Sequence, residues 1–169
     1  MLIIKNAGLA TRLLGVVVSG WLLSFAFAPH SIWLLAIVAY GVLFAALARS
    51  DGVAESAGLS AAFGVSLQFS GHHWLIDALS AQVGWLDPVA VLASTLLAIY
   101  LALPLALFAA SWELVFRAGA RRLFSRWAWA TLLPWVAMIS EYLRSLEFGG
   151  FSSLYPGYAV LDTPLAGLL

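Results

Sequence analysis

Apolar residues fall into long runs separated by short stretches where Pro, Gly, His and charged residues collect. The first run, Leu13 to Ala28, reaches roughly 24 Å as a helix at about 1.5 Å per residue. A bilayer core measures about 30 Å, so this span borrows flanking residues. Pro29 has no N–H and biases Ala28 away from helical geometry, so Ala28-Pro29-His30-Ser31 reads as a tight reversal with Ser31 offered as the next N-cap. The second run, Ile32 to Ala48, then forms a hairpin with the first and is closed by Arg49-Ser50-Asp51-Gly52. The third, Val53 to Phe69, is less hydrophobic and carries Glu55 near its start. Its Ala54, Gly58, Ala62, Ser66 and Ser70 recur every four residues, a ridge of small side chains that lets a neighbouring helix approach closely. Packing within one bundle accounts for this ridge more simply than a self-association seam.

Gly71 to Pro88 reads as a non-spanning loop with Trp74 and Trp85 placed as interface anchors. A fourth span runs from Pro88 to Trp112, with Pro104 well inside it where a kink is expected. Glu113 and Arg117 follow at helical i,i+4 spacing, then Arg121, Arg122 and Arg126. The fifth span, Trp127 to Leu146, has Pro134 near its first turns. After Gly149 the chain reads as irregular to Thr163, and Pro164 to Leu169 resembles the first turn of a sixth helix that the sequence does not continue.

Composition turns this pattern into a class. Of 169 residues 63% are hydrophobic and 9% charged, against about 25% charged in ordinary soluble domains. The expectation is an all-α polytopic transmembrane helix bundle of about five spans (13–28, 32–48, 53–69, 88–112 and 127–146), forming one domain over 1–169. Lys5 and Arg12 ahead of an apolar run ending in Ala26-Phe27-Ala28 imitate a signal peptide. Pro29 directly after the cut is unfavourable for cleavage and a second apolar run follows at once, so the first run is read as an uncleaved span.

Charge then gives an orientation. With five spans, Lys5, Arg12, Arg49, Arg117, Arg121, Arg122 and Arg126 fall on one side and Arg144 alone near the other. By the positive-inside rule the N-terminus is cytoplasmic, and His30, the Gly71 to Pro88 loop and the Phe148 to Thr163 loop face outward. The eight basic and eight acidic residues cancel, and no basic stripe with interleaved aromatics marks a nucleic-acid groove.

Candidate chemistry is sparse. The absence of cysteine removes disulfides, thiolate metal sites and cysteine nucleophiles from this polypeptide. His72, His73 and Asp77 are too few for a metal site that needs three or four converging ligands, with His30 in a different loop. There is no GxSxG elbow, no GxxxxGK[ST] loop and no GxGxxG fingerprint, so neither a hydrolase elbow nor a nucleotide cofactor is implied. Glu141 and Arg144 are the informative pair. Three residues apart at the end of the fifth span, they can share a charge-assisted hydrogen bond, and an ionisable group in hydrocarbon otherwise costs at least about 2.5–3.5 kcal/mol. Fixing the helix end, binding an anionic headgroup through Arg144 and orienting a loop through Glu141 all remain open from the residues alone.

The C-terminal string is more specific. Glu141-Tyr142-Leu143-Arg144, Phe148-Gly149-Gly150-Phe151, Pro156-Gly157-Tyr158 and Asp162-Thr163-Pro164-Leu165-Ala166-Gly167-Leu168 resemble a segment of bacterial apolipoprotein N-acyltransferases reading roughly E-W-L-R, G-F, G-Y, D-x-P-L-x-G-L. Phe25-Ala26-Phe27-Ala28-Pro29 with Trp33, and Gly71-His72-His73-Trp74 with Gly84, are similar to that family too. Tyr142 stands where tryptophan is usual, and Ser152-Ser153-Leu154-Tyr155 replaces a more aromatic loop.

The resemblance implies a helix bundle in the bacterial inner membrane that holds a periplasmic nitrilase-like domain. That domain moves an acyl group from phospholipid to the amino terminus of a lipoprotein through a cysteine thioester assisted by glutamate and lysine. This chain has no Cys, and its one Lys, Lys5, is expected on the cytoplasmic side. The expectation is therefore the N-terminal membrane portion, inert alone or completed by a separate nitrilase-like chain. Arg144 would serve as headgroup ligand, Glu141 would orient it, and Trp74, Phe151 and Tyr158 would be interface groups near acyl chains. The alternative is a small helical membrane protein that binds lipid or a partner without enzymatic activity.

Overall fold

The computed structural model describes residues 2–82, 84, 87–147, 154–161 and 163. These form α1 (Leu2–Leu23), α2 (Leu34–Leu47), α3 (Val53–Gly71), α4 (Trp74–Gln82), α5 (Asp87–Ala118), α6 (Arg126–Ala130) and α7 (Leu133–Glu147), with short 3-10 turns at Ser24–Ala26, Ala120–Arg122 and Pro156–Val160. Among the described residues there is no strand, as the unbroken helical runs predict. Trp85, Phe151 and the 164–169 segment lie outside the described residues, as does the side chain of Arg144.

α3 is the centre of the bundle, packed between α5 and α1, with α2 closing against α1. Its composition explains the position. Ser56, Ser60 and Gln68 are buried on it, and polar side chains in a membrane-type helix are tolerated where they face other helices. α3 meets α5 closely at Gly64, where an added Cβ would lie 2.8 Å from the Ala102 Cβ and 3.2 Å from its Cα. Gly20 of α1 abuts the Phe63 backbone on the adjoining side. Ser66 donates to the Val17 carbonyl at 2.7 Å, a link from the predicted small-residue ridge to α1. Ala54 and Gly58, earlier on the same ridge, are exposed, and the tight α5 contact is made at Gly64, off that ridge. The core joins Val16, Leu23, Leu43, Leu47, Leu59, Phe63, Trp112 and Leu133, and Ala159 packs into it from the C-terminal segment.

The outer surface is apolar. Leu14, Ile37, Val38, Leu92, Leu107, Trp135, Met138 and Leu146 are all exposed, several by more than 60%. Contiguous apolar surface of this kind marks a membrane or a partner. Among the described residues two helices are long and apolar enough to cross a bilayer, Gly8–Ala26 and Pro88–Ala118. α2 has 14 residues, about 21 Å of helix, too short to cross a core of about 30 Å by itself.

Local differences from the sequence reading have physical causes. The run from Trp127 to Leu146 is divided into α6 and α7, with a turn at Thr131 and Leu132. Pro134 is the second residue of α7, a first-turn position where its missing N–H costs nothing, so it marks a helix start. α5 is helical on both sides of Pro104, with that proline inside it as the sequence places it. The Gly71 to Pro88 loop contains α4, nine residues and too short to span. Ser31 is not the N-cap of α2. It sits at φ 52, the left-handed region, with its carbonyl accepting from Trp33 N at 3.0 Å, and α2 begins at Leu34.

Candidate functional site

One end of the bundle is built on the α2–α3 connector, residues 48–52. The last carbonyls of a helix have no intrahelical donor, and arginines supply donors here. Ser125 caps α6 by accepting from Ala128 N at 3.2 Å, which sets Arg126 as the first helical residue. Arg126 Nε donates to the Ala48 carbonyl at 3.1 Å and Nη2 to Ser50 Oγ at 2.8 Å and to the Ser50 carbonyl. Ser50 Oγ in turn bonds Ser56 Oγ at 2.6 Å, linking the connector to α3.

Glu113 is the anchor. Fully buried near the end of α5, it accepts from Arg117 Nε at 2.9 Å and from Arg126 Nη1 at 3.1 Å, with that same Nη1 2.9 Å from its second oxygen. Arg117 also donates to the Asp51 carbonyl. The Arg126 guanidinium carbon lies 4.9 Å from the Phe116 ring centre and 5.6 Å from that of Trp112, within cation–π range. A second pair sits beside the first. Arg12 Nη1 is 2.8 Å from Glu55 Oε1 and donates to the Arg49 carbonyl, while Glu55 Oε2 accepts from Asp51 N at 3.0 Å. Arg12, Arg49, Arg117 and Arg126, assigned to one side from sequence, thus converge on one connector.

The opposite end is aromatic and histidine-bearing. A cavity of about 350 Å³ is lined by Trp21, Phe25, Phe27, Pro29, His30, Phe69, His73 and Leu154, among others. The peptide before Pro29 is cis. The His30 ring centre is 5.0 Å from that of Phe25, and His73 Nδ1 is 2.8 Å from the Ser70 carbonyl. His72 is buried instead, with Nδ1 2.9 Å from the Gln68 carbonyl. Leu154 adopts φ 59, rare for a bulky side chain, and packs on Gly71, where a Cβ would collide with it. Among the described residues no three His, Cys, Asp or Glu side chains gather as metal ligands would.

The residues singled out from sequence distribute unevenly. Trp74 opens α4 beside His73 and is 55% exposed. Tyr158 is exposed, its ring centre 5.7 Å from that of Tyr155. Glu141 is half-buried on α7 and engaged in a contact of its own. Arg144 lies one turn on in the same helix, but its side chain and Phe151 are outside the described residues. Sequence reasoning missed Glu113 as the buried hub and missed that His30 and His73 line one cavity. Glu113 and Arg117 at i,i+4 spacing were the visible signal for the first; nothing local signals the second.

An all-helical bundle with an apolar exterior, a buried arginine–glutamate knot at one end and an aromatic cavity at the other defines a membrane-type helix bundle. Comparison with known proteins gives the family. The family model for the apolipoprotein N-acyltransferase N-terminal domain matches residues 19–169. The apolipoprotein N-acyltransferase of Ralstonia nicotianae is 35% identical over 147 residues, covering 85% of this chain and 27% of that protein. The Coxiella burnetii protein of the same name is 34% identical over 154 residues, covering 89% and 30%. That of Vibrio cholerae is 30% identical over 150 residues, covering 87% and 28%. The chain belongs to the apolipoprotein N-acyltransferase family and spans less than a third of the length of these curated relatives.

Proposed function

We propose that this chain supplies the membrane-embedded part of an apolipoprotein N-acyltransferase, acting in phospholipid-to-lipoprotein acyl transfer, and that the chemistry resides in residues beyond these 169. The observation that carries the reading is the family match over residues 19–169 to an N-terminal domain. The apolar exterior and the absence of cysteine from the sequence support it. In this reading the chain crosses the bacterial inner membrane about five times with a cytoplasmic N-terminus, and its histidine-bearing end faces the periplasm. The bundle's contribution is proximity: it holds a nitrilase-like catalytic domain at the surface where acyl donor and lipidated acceptor both reside. Arg144 takes a phospholipid headgroup with Glu141 orienting it, and Trp74, Phe151 and Tyr158 border the acyl chains.

The test is acyl transfer from phospholipid to a lipidated acceptor peptide, by the purified chain alone and together with a separately expressed nitrilase-like domain from a relative. Turnover is expected only with the second component. Turnover by this polypeptide alone would refute the scaffold reading.

A further inference from the structure

At the arginine end of the bundle a groove lies between α1 and α2. The groove has a volume of about 210 Å³ and is bordered by Arg12, Arg49, Gly15, Val42, Ala45 and Ala46. Its polarity follows from helix register. α1 and α2 run antiparallel, with Gly15 facing Val42 so that a Cβ on Gly15 would lie 3.8 Å from Val42 Cγ1. Gly15 and Val42 are therefore about one to two turns deeper along their helices than Arg12 and Arg49. The groove is cationic at the bundle end and apolar toward its middle.

The two guanidiniums are held differently. Arg12 is neutralised by Glu55 at 2.8 Å. Arg49 is exposed, donates to the Ala45 carbonyl of its own helix at 3.0 Å and lies 5.0 Å from the Trp127 ring centre. Among the described residues it has no carboxylate partner. A guanidinium carries five N–H donors, so most of its capacity remains for another acceptor. Phosphate fits that fork, and basic pockets between membrane helices take anionic headgroups.

We propose that this groove binds the phosphate of an anionic glycerophospholipid, with Arg49 as the cationic ligand, the Glu55-paired Arg12 bordering the phosphate and one acyl chain laid along Gly15 and Val42. The inference rests on the membrane reading above. It is independent of acyl transfer, because the site lies at the end of the bundle opposite His30, His73 and Trp74.

The experiment is native mass spectrometry of the detergent-solubilised chain with phosphatidylglycerol or phosphatidylcholine of matched acyl chains. Phosphatidylglycerol should be retained about fivefold better, the preference one arginine confers at a membrane surface. Arg49→Gln should abolish the preference, and Arg49→Lys, a second variant that keeps the charge, should retain most of it. Gly15→Leu should weaken retention with both arginines intact. Arg122→Gln, outside the groove, should change nothing. Equal retention of the two lipids, an unaffected Arg49→Gln, or an equal loss in Arg122→Gln would each overturn the site. Recovery of the chain as a soluble protein would instead overturn the membrane reading and the groove with it.

Discussion

The Glu113 carboxylate lies 2.9 Å from the Arg126 guanidinium, thirteen residues further along the chain, and has no exposure to solvent. Removing Arg126 leaves the buried carboxylate with Arg117 as its remaining cation, so part of the cost of breaking a buried pair applies. Arg126→Ala also strips donors from the Ala48 and Ser50 carbonyls. The expected loss is about 3 kcal/mol, the low end for a broken buried pair because Arg117 stays beside Glu113, and Arg117→Ala should cost less because that side chain is 48% exposed. Replacing both members, Glu113→Leu with Arg126→Met, should recover part of the deficit. Thermal unfolding of the detergent-solubilised chain by circular dichroism measures all three, and an Arg126→Ala protein as stable as the parent would show that the knot contributes nothing.

Gly64→Ala sets two effects against each other. Alanine in place of glycine favours the helix by about 1 kcal/mol. The new methyl would lie 2.8 Å from the Ala102 Cβ and 3.2 Å from its Cα, so α3 and α5 must separate along their main contact. Overpacking of that kind costs about 1–3 kcal/mol, and the net change should be destabilising. Ala102→Gly in the same chain should restore stability, which a purely local effect at residue 64 would not allow.

Gly71→Val should expel Leu154 from its seat, since a Cβ at position 71 meets the Leu154 side chain. Leu154 is held at φ 59 and packs against the core. The described C-terminal segment, 154–161, should then lose hydrogen-exchange protection while α1 to α3 keep theirs. Unchanged protection at Tyr158 and Ala159 would mean that the Leu154 contact is dispensable.

A cysteine-free chain lends itself to topology mapping by single introduced thiols. In membrane vesicles, Arg122→Cys and His73→Cys should react with an impermeant maleimide from opposite faces, the first from the cytoplasmic side. Both side chains are exposed. Labelling of the two from one face would invalidate the five-span orientation.

Much of this architecture was legible in the hydrophobic pattern, because runs of apolar residues broken by Pro, Gly and charge admit few structures other than helices. The arginines were legible too. Counting loops placed Arg12, Arg49, Arg117 and Arg126 together, and they do meet. What they meet was hidden, since Arg126 reaches Ser50 across 76 residues and Arg117 reaches Asp51 across 66, separations at which no spacing rule operates. Pro134 carried a readable signal that hydrophobicity overrode: a proline near the start of an apolar run marks a new helix more often than a defect in an old one. That His30 and His73 line one cavity depends on how the segments after α1 and α3 pack, which local pattern does not encode.

α5 is 32 residues long, about 48 Å of rod against a hydrocarbon slab of about 30 Å. In a bilayer it overshoots by several turns, length enough to carry Glu113 and Arg117, set in its last two turns, out to headgroup depth. A thinner or thicker membrane would then be met by tilt, while the arginine fastening stays level with the water and keeps the shorter helices in register with it.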